Sequence, residues 1–240
     1  MRKGQIVLPA ILTMISVCSM QLSMTSYVMA AEEASTKTAT STESAAPAKG
    51  KPTLKELGTI TGFVKGGIPR HQKDSVVYIE KMDREFPAPK YHAVMDQISL
   101  TFVPHVLPIM KGTTVDFPNS DYILDIEHNV FSPDDVADKM DLGDWPVGEL
   151  KSHIFNKLGV AVMLCHLHPD MEGFVVVLQN PFFDKTHEDG RFTIEGVPPG
   201  EYTINVWHKR LAADAQKVVV APGETTAVDF VFNKRKKDYH

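Results

Sequence analysis

Three side chains suited to soft metals stand close together in this chain. They are Cys165, His168 and Met171, in the run Leu164-Cys165-His166-Leu167-His168-Pro169-Asp170-Met171-Glu172-Gly173. A thiolate, an imidazole and a thioether on one short loop suit copper that cycles between Cu(I) and Cu(II). Such a site needs one more ligand, and the best candidate is His128, upstream in Glu127-His128-Asn129-Val130-Phe131. Two imidazoles, one thiolate and a weak, distant thioether form the donor set of a type 1 copper centre.

The elements that must hold these residues read as β. Val76-Val77-Tyr78-Ile79 is a β-branched and aromatic run, and so are 98–102, 115–117, 160–164 and 174–178. Further runs follow at 192–194, 202–207, 217–220 and 227–232. Gly, Pro and Asn-Ser-Asp clusters separate them, the pattern of β-sandwiches. One helix is expected, from Asp134 to Met140 after Ser132-Pro133, with Asp134 and Asp135 favouring its N-terminus. The strand at 160–164 delivers Cys165 to one end of a sandwich, and the strand after Gly173 leaves from that same end. A ligand loop held at both ends by paired strands is stiff.

Residues 90–181 resemble the cupredoxin family, and their short ligand loop is similar to that of amicyanin. The resemblance rests on Phe102-Val103-Pro104, Lys111-Gly112-Thr113-Thr114-Val115-Asp116-Phe117-Pro118-Asn119, His128-Asn129-Val130, Phe155, Gly159, the ligand loop, and Gly173-Phe174-Val175-Val176-Val177. It implies a Greek-key sandwich with one type 1 copper per chain, held by His128, Cys165, His168 and Met171. It also implies that Asn129 braces the ligand loop by hydrogen bonding. The chain departs from the family at Ala161, Met163 and Leu164, where aromatics are frequent. The segment 120–127 is long and acidic (Asp121, Asp125, Glu127), and Glu127 stands next to a ligand, where a carboxylate facing the metal would oppose a high reduction potential.

Residues 182–233 resemble the carboxypeptidase regulatory-like (transthyretin-like) β-sandwich. The carriers are Glu188-Asp189-Gly190-Arg191-Phe192 and the corner Pro198-Pro199-Gly200-Glu201-Tyr202. Such a module opens with a strand like Gly58-Thr59-Ile60-Thr61-Gly62 and a second like 75–80. Strands within 56–89 are therefore expected to join 182–233, with the copper domain inserted between them. The simpler alternative places 56–89 within the copper domain. The fold class is all-β, two sandwiches, followed by a basic tail at 234–240.

Other histidines carry two readings each. His166 is either a second copper ligand wired through Cys165 or a loop histidine facing solvent. His105 either approaches a metal or is a satisfied structural histidine, and His153 is a weaker version of the same choice. Asp134, Asp135, Asp138, Asp141, Asp144 and Glu149 are either a solvated loop or a docking patch for a basic redox partner such as a c-type cytochrome.

Residues 1–30 read as a cleaved secretory signal peptide. Arg2 and Lys3 precede an apolar run that ends in Val28-Met29-Ala30. Residues 31–55 lack large apolar side chains and read as a disordered linker. Cleavage removes Cys18 and leaves Cys165 as a lone thiol in an exported, periplasmic chain. The formal charge of −5 argues against nucleic acid as a partner, and no membrane span remains after cleavage. The expected function is one-electron transfer without enzymatic turnover. The alternatives are copper capture for tolerance, and a copper enzyme with a second metal at His105 or His166.

Overall fold

Residue alternation builds the sheet that faces the candidate site. In Thr113–Pro118, Thr113, Val115 and Phe117 are buried while their neighbours are partly exposed, the period of two expected of a strand with one face in a core. This strand pairs antiparallel with Leu150–Phe155 and parallel with Ala93–Val94. Opposite stands a five-stranded sheet in the order Val106–Met110, Glu172–Leu178, Gly159–Leu164, His128–Phe131, Asp141–Trp145. The core between them includes Phe102, Phe117, Val130, Trp145, Phe155, Met163 and Val175. Gly112 turns the chain between Val106–Met110 and Thr113–Pro118 at φ +86°, a conformation glycine adopts without a Cβ penalty.

The computed structural model describes residues 53–66 and 72–236. The expected leader at 1–30, nearly all of the linker, His71, and the end of the basic tail lie outside the described residues. Among the described residues the chain is all-β, apart from 3-10 turns at Leu54–Glu56 and Asp135–Ala137.

The remaining strands form a second set of sheets. Gly58–Lys65 pairs antiparallel with Arg191–Val197 and parallel with Thr225–Ala227 and Phe230–Val231. Val76–Ile79 lies between Phe183–Lys185 and Gly200–Trp207, and the latter also pairs with Gln216–Val220. Their core includes Ile60, Val77, Phe192, Ile204 and Phe230. At the Pro-Pro-Gly corner the Tyr202 hydroxyl donates to the Pro198 carbonyl (2.8 Å), which ties the turn to the strand it starts. A smaller cluster of Val76, Trp207, Val106, Phe174, Val176 and Leu178 joins the two sets of sheets.

Two local expectations change. The helix expected over 134–140 is only the 3-10 turn Asp135–Ala137. Asp138 and Lys139 are left-handed, at φ +56° and +52°, and the Asp134 carboxylate accepts the Val162 N–H (2.7 Å), so the segment is tied to the neighbouring strand and cannot wind on. Part of the acidic run expected to be a loop is the edge strand Asp141–Trp145, which pairs with His128–Phe131. Only Trp145 of that strand is buried, so its outward charges hide the alternation.

The second core can be perturbed alone. A Cβ on Gly62 would lie 1.8 Å from the Val228 carbonyl oxygen, too close unless backbone moves. Gly62→Ala should therefore cost about 1–3 kcal/mol, seen as a lowered urea midpoint, while amide shifts around Phe117, Val130 and Phe155 stay unchanged because the two cores share no residue.

Candidate metal centre

Three strands aim the candidate ligands at one end of the five-stranded sheet. His128 opens the strand His128–Phe131. Cys165 follows the last residue of Gly159–Leu164, and Met171 precedes the first of Glu172–Leu178. Those last two strands pair antiparallel from Gly159↔Val177 to Leu164↔Glu172, so the residues between them form a hairpin loop. Its end is tightened by the Met171 N–H, which donates to the His168 carbonyl (2.9 Å). Gly173 lets this end pack flat, since a Cβ there would stand 2.8 Å from the Phe102 Cβ.

The ligating atoms of His128, Cys165 and His168 all lie within 4.8 Å of one another. The two histidine Nδ1 atoms are 3.1 Å apart, and Cys165 Sγ is 3.6 Å from His168 Nδ1. A single ion bonded at about 2.0–2.3 Å to nitrogen and sulfur spans such separations. The side chains of His128 and Cys165 are 0% and 3% exposed, and that of His168 is partly exposed. Burial, followed by the neighbouring His128, holds His168 below the usual imidazole range, which favours the neutral form a metal requires. Met171 is buried in the same apolar cluster as Cys165. The donor set therefore fits copper: soft sulfur, two imidazoles and a dry setting.

Asn129 makes the contacts expected of a brace. Its backbone N–H points at Cys165 Sγ (3.4 Å), and its side-chain oxygen accepts the His166 N–H (3.3 Å). Its side-chain nitrogen donates to Asp141 (2.9 Å). The N–H of Gly143 and the side chain of Asn129 hold the Asp141 carboxyl below the usual carboxylate range.

The other candidates stand apart. His166 is 54% exposed, stacks flat on Phe131 at 3.6 Å, and lies 3.3 Å from Asp141. His105 accepts from Lys209 Nζ (3.2 Å), and Lys209 also holds Glu172 (2.8 Å). Burial, then the Lys209 charge, pushes His105 below the usual imidazole range. Burial does the same to His153. Among the described residues, none of these three joins the His128–Cys165–His168 cluster. Glu127 is exposed. The carboxylate that does reach His128 belongs to Asp121, with Oδ2 3.0 Å from His128 Nε2. Along the sequence Asp121 stands out only as part of the acidic segment 120–127. Of the six acidic residues read as a docking patch, Asp134, Asp135, Asp138 and Asp141 are engaged within the chain, by Val162, Lys139, Lys157 and Asn129 respectively.

Comparison with known proteins adds two similarities. The model of the carboxypeptidase regulatory-like domain family matches residues 171–233. Similar solved structures include a reduced amicyanin variant, 24% identical over 42% of this chain and 97% of that one, with a TM-score of 0.33. A purple cupredoxin from Nitrosopumilus maritimus is 26% identical over 35% of this chain and 98% of that one (TM-score 0.32). A copper-containing nitrite reductase from Thermus scotoductus is 26% identical over 42% of this chain and 25% of that one (TM-score 0.35). No curated protein matches the chain.

Asn129→Ala removes the side chain that links His166 to Asp141. Metal affinity should fall roughly 10–100-fold in chelator-competition titrations, and His166→Ala, which alters only an outward ring, should leave it unchanged.

Proposed function

We propose that this is an exported type 1 copper protein that carries single electrons between partners. One observation carries the reading: one ring nitrogen each of His128 and His168 and the Sγ of Cys165 converge within 4.8 Å. Copper held there by these three residues and Met171 supplies a Cu(II)/Cu(I) couple, each reduction balanced by oxidation of the donor protein by one electron.

The chain's own groups suit that role. His128 and Cys165 are sealed from water, so no side of the site is open for a substrate on their account. His168 alone of the three is partly exposed, which gives electrons a short path from surface to sulfur. The loop is held by the ladder at both ends and by Asn129 from the side, so its ligands move little when the charge changes. Enzymatic turnover at a second metal would need His105 or His166 to join a ligand group, and each is instead committed to a neighbour.

The domain reading that accompanies this proposal is a nested one. A carboxypeptidase regulatory-like sandwich is assembled from 56–89 and 182–233, and the copper domain at 90–181 is inserted in it. In support, every ladder of Gly58–Lys65 and Val76–Ile79 is with strands beyond residue 182. Export rests on the leader reading of 1–30, and among the described residues no helix is long and apolar enough to cross a membrane. The proposed partner is a basic redox protein such as a c-type cytochrome, docking at the acidic face around Asp144 and Glu149, both of which are exposed.

Protein purified from the exported fraction should bind one copper per chain and show an intense thiolate–Cu(II) absorption band, blue at about 600 nm or green-shifted, with matching EPR. Cys165→Ser should abolish the band. Copper binding without that band in the unaltered protein would refute the type 1 reading. The rate of reduction by a basic cytochrome should fall as salt rises; a salt-independent rate would dismiss the acidic face as the dock.

A further inference from the structure

The proposed centre contains a charged group that the donor set does not use. Asp121 has a side chain only 1% exposed, and an ionised carboxylate so buried must be paired and hydrogen-bonded. Its Oδ2 lies 3.0 Å from His128 Nε2 and accepts the Leu100 N–H at 3.1 Å. Ser99 and Leu100 are both left-handed, at φ +51° and +60°, so the chain turns where the Leu100 N–H meets the carboxylate.

The segment that carries Asp121 is itself fixed. Asn119 is fully buried. Its side-chain oxygen accepts the Asp121 N–H (3.1 Å), and its side-chain nitrogen donates to the carbonyls of Ile126 (2.9 Å) and Trp145 (3.1 Å). The Asp121 carbonyl in turn accepts the Asp125 N–H (2.9 Å).

From this placement we infer that Asp121 is a positioning residue for the metal centre: its carboxylate keeps the His128 proton on Nε2, aims the Nδ1 lone pair at Cys165 and His168, and biases the site toward Cu(II). The inference rests on the copper reading above. An imidazole that donates to a carboxylate is oriented, held in one tautomer and made more basic toward a metal on its other nitrogen. Greater donor strength favours the more highly charged ion, so Cu(II) gains more than Cu(I). Glu127, adjacent to His128 but exposed, has the same charge and none of this contact.

Asp121→Asn keeps the shape and removes the charge. Cu(II) affinity should fall about tenfold, with Cu(I) affinity changing less, both measured by chelator competition. A tenfold change in their ratio raises the midpoint potential by about 59 mV for one electron. Glu127→Gln, the charge control, should leave the ratio unchanged. Equal affinity ratios in Asp121→Asn and the unaltered protein would overturn the inference, as would an equal shift in both variants. Nitrogen-15 NMR of the metal-free, unaltered protein supplies a readout that needs neither copper nor a folded variant. His128 should be the Nε2–H tautomer with a ring proton protected from exchange; an Nδ1–H tautomer or a rapidly exchanging proton would overturn the inference. Absence of the thiolate–Cu(II) band would instead count against the type 1 reading, so the two failures are distinguishable.

Discussion

The antiparallel ladder from Gly159↔Val177 to Leu164↔Glu172 is the constraint on which the site depends. It fixes where the loop carrying Cys165, His168 and Met171 begins and ends. A loop closed by paired strands loses most of its freedom to the ladder, so ordering its side chains costs little further entropy. His128 must then arrive from elsewhere, and the pairing of Leu164 with Phe131 sets it beside the sulfur. Asn129 completes the frame, with its backbone N–H on Cys165 and its side chain between the loop and the edge strand.

Seen this way, His128 is gripped on its far side as well. Its Nδ1 faces His168, and its Nε2 meets a carboxylate that accepts the Leu100 N–H, on a residue whose own backbone N–H is held by the buried Asn119. The second sandwich reaches the centre through Lys209, which holds both Glu172, next to Met171, and His105. The joining cluster around Trp207 and Phe174 packs behind that contact. The strand that leaves the ligand loop thus belongs to the metal sheet and is also packed against the second set of strands.

The parts legible in the sequence were those fixed by near neighbours along the chain. The Cys-x2-His-x2-Met run needs only a hairpin to converge, and β-branched runs on both sides supply it. Asn129 was named only through the family resemblance, not through any pattern in its own segment. Glu127 was read as a neighbour of the ligand, but consecutive residues of an extended chain point in opposite directions, and with His128 turned inward Glu127 is left exposed. Asp121 could not be read in the same way. Its approach to His128 depends on the fold-back of 119–126 around Asn119, which no local pattern announces. The edge strand Asp141–Trp145 was hidden for a related reason, since one buried tryptophan among exposed charges has no visible period. The helix expected at 134–140 failed because the Asp134 carboxylate, expected to favour the helix N-terminus, is spent on the Val162 amide.

The most direct test is X-ray absorption at the copper edge of the loaded protein. Convergence of His128, His168 and Cys165 on one ion predicts two nitrogen neighbours at about 2.0 Å and one sulfur at about 2.2–2.3 Å. A first shell of nitrogen and oxygen alone, with no sulfur, would contradict it.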